Sequence, residues 1–247
     1  LDRALPQRGW FGDGLNELLG NEQGVGEFSL LLPALHQVSA EGRGVLLANP
    51  PFVPYAPALA QAGIAFAHLI VIRQADAEGL YWAAEQALRS KACGAVVVWS
   101  DETARRLPDL LLRRLQVAAH TGACAGFLFR PRRAREQPSP APLRIVYAAQ
   151  QGALELTLHK CRGQAGTPRV RVQPWRHAWA ARPLPVGVPR PGPGVPHAAG
   201  RGVRGAAPAH PALRWKQPPT GGLAESLAAG GLSLEPATGR IVRRQDR

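Results

Sequence analysis

The stretch NELLGNEQGVGEFSLLLPAL, Asn16–Leu35, sets out a strand, a glycine-rich turn and a helix in that order. Asn16–Leu19 is a short apolar strand. Gly20–Gly26 is the turn that it enters. Phe28–Val38 has helical spacing, with Pro33 able to kink it. Working outward, the same alternation continues to about residue 163. Strands are expected at Gly44–Ala48, Leu69–Ile72, Ala95–Trp99 and Gly126–Phe129. Helices are expected at Tyr55–Ala62, Leu80–Arg89 and Leu107–His120, the first stopped by Gly63. Leu143–Ala148 and Ala153–Lys160 read as a closing antiparallel hairpin around Gly152. Short apolar strands separated by helices of about ten residues predict a mostly parallel α/β sheet flanked by helices.

Composition narrows the classes further. The chain has 247 residues, 30 Lys plus Arg against 17 Asp plus Glu, and 45% hydrophobic residues, enough for a core. No apolar run approaches the roughly 18 residues of a membrane span, and no signal-peptide pattern opens the chain. Three cysteines without CxxC spacing support neither a disulfide framework nor a zinc site. A cytoplasmic protein is the expectation. No methionine occurs, even at position 1, so the chain is expected to lack its natural start.

The charge is uneven. Residues 1–163 carry 17 basic and 14 acidic side chains, whereas residues 164–247 carry 13 and 3, with 13 prolines and 12 glycines. The expected division is therefore a core at 1–163 and a Pro/Gly/Arg-rich, disordered basic tail at 164–247. Trp175, Trp179 and Trp215 among the tail arginines leave two readings open. One is nucleic-acid binding by charge and stacking; the other is an unselected linker or a misread frame.

Several separated segments carry a resemblance. GWFGDGLNELLG at 9–20 resembles the approach to the phosphate loop of RecA. EFSLLLPAL at 27–35, YAPALAQAGI at 55–64, WAAEQALRSKACGAVVVW at 82–99, LLRRLQVAA at 111–119 and GFLFRP at 126–131 together resemble the ImuA family. That family consists of RecA-like accessory proteins of bacterial SOS mutagenesis. The LLLP, ALR and GFLFRP segments are also similar to the SulA family of SOS cell-division inhibitors. The ImuA resemblance covers about residues 2–162. It implies a RecA-like, P-loop NTPase-type core. It also implies an adaptor role in translesion DNA synthesis, with an ImuB-type relative of Y-family polymerases, a DnaE-type polymerase and possibly RecA as partners. The SulA resemblance implies instead a partner among tubulin-like division proteins.

The residues argue against catalysis. A working phosphate loop reads GxxxxGK[ST], with lysine for the β and γ charges and a hydroxyl for magnesium. The matching turn reads Gly20-Asn21-Glu22-Gln23-Gly24-Val25-Gly26-Glu27, where Gly26 takes the lysine place and Glu27 the hydroxyl place. Trp99 stands where the magnesium-side carboxylate is expected, with Asp101 two residues on. Asn49-Pro50-Pro51 stand where the water-activating glutamate is expected. Losing all of these removes the electrostatics of phosphoryl transfer. A degenerate phosphate loop, no enzyme activity, no cofactor and no metal are therefore expected. His159 and Cys161 flank Lys160 on one strand and read as a sheet edge more readily than a metal or thiol site.

Binding surfaces remain. Arg130, Arg132, Arg133 and Arg135 form a basic loop after Gly126–Phe129, either a DNA or partner contact or a solvated loop. Phe52 and Tyr55 lie in the proline-rich stretch NPPFVPYAPAL after Gly44–Ala48, where α/β folds place ligands. Both read as exposed aromatics suited to a protein partner, with core packing an equal alternative for Phe52. Arg106, Arg113 and Arg114 share part of one helix face. Trp10 and Phe11 read as partner anchors or as a lid.

Overall fold

The computed structural model describes residues 1, 4–5, 8–74, 76–102 and 106–173, together with two short strands at 232–235 and 240–243. Its centre is an eight-stranded sheet. The strands are β1 Leu15–Leu19, β2 Gly44–Ala48, β3 Leu69–Ile72, β4 Cys93–Trp99, β5 Ala125–Arg130, β6 Leu143–Gln150, β7 Ala153–Cys161 and β8 Arg169–Val172. Their spatial order is β3-β2-β4-β5-β1-β6-β7-β8. The first six of these in space run parallel, and β7 and β8 add antiparallel at one end.

β1, β2, β4 and β5 are buried along their whole length, as strands covered on both faces must be. Alternate residues serve opposite faces. Leu46, Val96, Val98 and Leu128 pack with α3 (Ala77–Arg89) and α4 (Asp109–Gly122) through Leu80, Leu88, Leu112 and Leu115. Val45, Leu47, Val97 and Phe127 pack on the other face with α1 (Leu32–Ala40) and α2 (Ala56–Gln61) through Leu35 and Leu59. The α3–α4 contact demands Gly122, since a Cβ there would lie 2.0 Å from the Leu88 carbonyl oxygen.

The expected elements are present, β2 and β3 with the expected ends and the others with shifted ones. The segment after the glycine turn divides into a 3-10 turn, Glu27–Leu30, and α1. Pro33 does not kink it, because it lies in the first turn of α1, where no intrahelical N–H bond is lost. The β6–β7 hairpin turns on Gln151 and Gly152, both at positive φ as a two-residue hairpin turn requires.

The boundary expected near Gly163 falls between two strands of one sheet. β8 pairs with β7 from Leu154–Val172 to Thr157–Arg169. Its Arg-Val-Arg-Val alternation turns Val170 and Val172 onto the core. That four-residue alternation was overshadowed by the surrounding prolines and glycines. Within the expected tail, β9 Leu232–Glu235 and β10 Arg240–Arg243 pair antiparallel. The remainder of that expectation, with Trp175, Trp179 and Trp215, lies outside the described residues. No helix among the described residues is long and apolar enough to cross a membrane.

Candidate functional site

The parallel strands deliver their carboxyl ends to one side of the sheet, and two adjoining hollows lie there. An apolar cavity of 250 Å³ is lined by Phe28, Leu32, Leu47, Pro51, Leu59 and Trp99 among others. A polar cleft of 640 Å³ beside it is lined by residues including Asn21, Asn49, Arg73, Asp101, Glu102 and Arg133. Glu27, Pro50, Pro51 and Trp99 belong to the walls of both.

The turn at Gly20–Gly26 is anchored from several sides. A Cβ on Gly20 would lie 2.2 Å from the Tyr147 ring, so the ring requires glycine there. The Tyr147 hydroxyl donates to the Glu22 carbonyl at 2.9 Å, and Glu22 Oε2 accepts from the Ala149 amide at 2.9 Å. Asn21 Oδ1 accepts from the Arg132 amide at 3.0 Å. Gly24 and Gly26 take φ of 75° and 96°. That conformation aims consecutive amides inward, and the acceptor they meet is the chain's own. Glu27 is buried; its Oε1 accepts from Gly24 N–H and its Oε2 from Val25 N–H, each at 2.9 Å. Consecutive backbone amides in such a turn make a seat for an anion, and here the Glu27 carboxylate sits in it. Ser29 Oγ donates to the Gly26 carbonyl at 2.5 Å.

Aromatic rings cross the strand ends. Trp99 stacks on Phe129 at 5.1 Å and 12°, Phe28 leans on Trp99 at 5.5 Å, and Phe129 meets Tyr147 edge-on at 6.4 Å. Trp99 and Phe129 are register partners on β4 and β5. The buried Trp99 indole N–H has no acceptor among the described residues. Burial, with the Glu27 and Glu22 carboxylates nearby, pushes the Tyr147 hydroxyl far up. Asn49, at φ 52°, accepts from the Gln74 amide at 2.7 Å and donates to its carbonyl at 3.0 Å, tying the ends of β2 and β3 together.

Of the basic loop, Arg130 is a correction. Its side chain is fully buried, so as placed it meets neither DNA nor a partner. It donates to Glu102 at 2.6 and 3.0 Å, to Glu17 at 3.3 Å and to Gln137 at 2.5 Å. Glu17 also accepts from Arg144 at 2.7 Å and from Ser139 at 2.5 Å. Burial alone would lower the Arg130 pKa; the Glu102 and Glu17 carboxylates outweigh it and the net shift is upward. Arg132, Arg133 and Arg135 are exposed, and Arg133 lines the polar cleft. Phe52 and Tyr55 are 61% and 65% exposed, with Val53 between them at 82%; none of the three is core. Phe11 is core, and Trp10 packs edge-on against Phe127 at 5.4 Å. On α4, Arg114 is taken up by Glu85, which also pairs with Arg89.

The buried charges Glu17, Glu102 and Arg144 were missed. A signal existed: Glu17 interrupts an apolar strand, and Arg144 is its register partner on β6. The aromatic row also had a signal, since Trp99 ends β4 and Phe129 is the last residue but one of β5, with Tyr147 further back on β6.

No family model and no curated protein sequence matches the chain. Among solved structures, SulA from Pseudomonas aeruginosa is 23% identical, with a TM-score of 0.39, over 47% of this chain and 97% of that one. The RadB recombinase is 15% identical, with a TM-score of 0.49, over 66% of this chain and 88% of that one. Neither likeness is close enough to assign a role.

Proposed function

We propose that the chain is a non-catalytic adaptor with a degenerate RecA-like core, acting in SOS-induced translesion DNA synthesis with an ImuB-type partner and a DnaE-type polymerase. The observation that carries the non-catalytic part is Glu27. Its carboxylate occupies the amides that a phosphate loop would offer to a nucleotide, and it would repel the phosphate it displaces. Lysine is absent from the turn, and an aromatic ring fills the magnesium-side position. A fold that keeps its cleft and loses its chemistry serves as a binding module. The adaptor role itself rests on the sequence resemblance to the ImuA family. Exposed Phe52 and Tyr55 and the arginines Arg132, Arg133 and Arg135 offer the contact surface.

The second reading is a SulA-like inhibitor of a tubulin-like division protein, favoured by the shared LLLP, ALR and GFLFRP segments. Capture of purified ImuB, RecA and the division protein on the immobilised full chain separates the two. Capture of ImuB or RecA, with division-protein polymerisation unaffected, supports the adaptor. Capture of the division protein alone replaces it with the inhibitor. Hydrolysis of ATP with magnesium above background would overturn both as written.

A further inference from the structure

We propose that the apolar cavity and the polar cleft form one groove that docks an extended acidic segment of a partner protein. An apolar side chain is anchored in the cavity, and a carboxylate beside it is held by Arg73 and Arg133. The proposal deepens the adaptor reading in one respect, that the occupant is a protein; its chemistry stands on the groove.

Size comes first. At 250 Å³ the cavity lies below the roughly 300–1,000 Å³ of small-molecule sites and suits one or two apolar side chains. Its rim presents Phe52, Val53 and Tyr55 to solvent, the kind of aromatic-rich patch that partners bury. Pro50, Pro51 and Pro54 stiffen that rim, which lowers the ordering cost of binding.

Charge completes the argument. Arg73 and Arg133 line the cleft, are exposed, and have no carboxylate partner among the described residues. Two of the acids in the wall are already engaged: Glu27 by the turn amides and Glu102 by Arg130. Asp101 is the third acid among the described lining residues. Neither arginine forms an ion pair with any of these three acids. The wall common to both hollows also carries the unpartnered Trp99 indole N–H, a donor that an incoming main-chain carbonyl would satisfy. Single-stranded nucleic acid fits less well, because the apolar cavity offers its phosphates nothing and three acids stand in the cleft wall.

The test is selection of binders to the full chain from a random twelve-residue peptide display library, followed by fluorescence polarisation of the recovered peptides. The expected peptides carry one large apolar residue within a few positions of Asp or Glu. Their affinity should fall about tenfold or more in Arg73→Glu, in Arg133→Glu and in the double exposed-residue variant Phe52→Ser/Tyr55→Ser. All of these positions are exposed, so the variants should fold, and circular dichroism checks that they do. Recovery of no binders, of basic peptides, or of peptides indifferent to these variants overturns the proposal. So does displacement of the peptides from the parent by a thymidine 20-mer at lower concentration than by unlabelled peptide. If ImuB and RecA are not captured while acidic peptides still map to the groove, the adaptor reading fails and the groove stands. If they are captured by variants that no longer bind peptide, the groove fails and the adaptor stands.

Discussion

Removing the Glu27 carboxylate should both destabilise the protein and open a site for a free anion. Glu27→Ala deletes two charge-assisted bonds of 2.9 Å and leaves the Gly24 and Val25 amides facing each other's empty space. Hydrogen bonds to charged groups are worth roughly 1.5–3 kcal/mol each. Part of that is returned because a buried charge no longer has to be kept from water. The net cost expected in urea unfolding is about 2–3 kcal/mol. At this chain length that is a fall of about 4–12 °C in Tm. Glu27→Gln should cost less than Ala, since one oxygen remains to accept. The second part of the assay titrates inorganic phosphate against chloride at constant ionic strength. The alanine variant should gain stability with the logarithm of phosphate concentration, about 1.4 kcal/mol at ten times the phosphate Kd, and wild type should gain none by this route. A cost below about 0.5 kcal/mol, within the range of ordinary surface changes, would refute the idea that the carboxylate holds the turn. Equal phosphate stabilisation of wild type and variant would refute the idea that it occupies the anion seat. A rise of several degrees in wild-type Tm on adding ATP with magnesium would do the same.

The other expectations concern the frame around the site. Arg130→Met should destabilise by about 3–5 kcal/mol in chemical denaturation, because Glu102 is left buried without a cation and Glu17 keeps only Arg144 and Ser139; a change under 1 kcal/mol would mean that water reaches Glu102. Gly122→Ala forces a Cβ against the Leu88 backbone and should cost about 1–3 kcal/mol, with the α3 and α4 amides losing protection from hydrogen exchange first. Ending the chain at Gly163 deletes β8 and should lower Tm relative to a chain ending at Gln173, the difference reporting the β7–β8 pairing together with the packing of Val170 and Val172. Burial pushes Cys93 from 9.0 to about 11 and Tyr81 from 10.0 to about 12. Folding keeps those protons on, so stability should be whole below pH 9 and fall as pH rises through 9–11 and 10–12; a flat profile across that range contradicts the burial.

The strands were legible as short apolar runs: Gly44–Ala48, covered on both faces, and the edge strand Leu69–Ile72 match the structure residue for residue. The glycine turn was equally legible, since it is a matter of residue type. What Glu27 does instead was not, because spacing shows that it lacks a hydroxyl but says nothing of which amides its oxygens reach. Arg130 was misplaced for a related reason. Arg130, Arg132, Arg133 and Arg135 form one cluster along the chain, but β5 runs on through Arg130, and the sheet turns that side chain to the face shared with Glu17 and Arg144. β8 was hidden because four residues of alternation hold too little hydrophobicity to stand out from proline and glycine.

The buried charges have a consequence for how this sequence can change over time. Glu17 accepts from both Arg130 and Arg144, and Arg130 also holds Glu102, so the four side chains form one chain of donors and acceptors from β6 across β1 and β5 to the segment after β4. Replacing any one strands its neighbours, and the intermediate is worse than either the full set or an apolar set of like volume. Relatives of this chain should therefore keep all four positions or exchange them as a block. A lineage that has lost one should carry a compensating change at another.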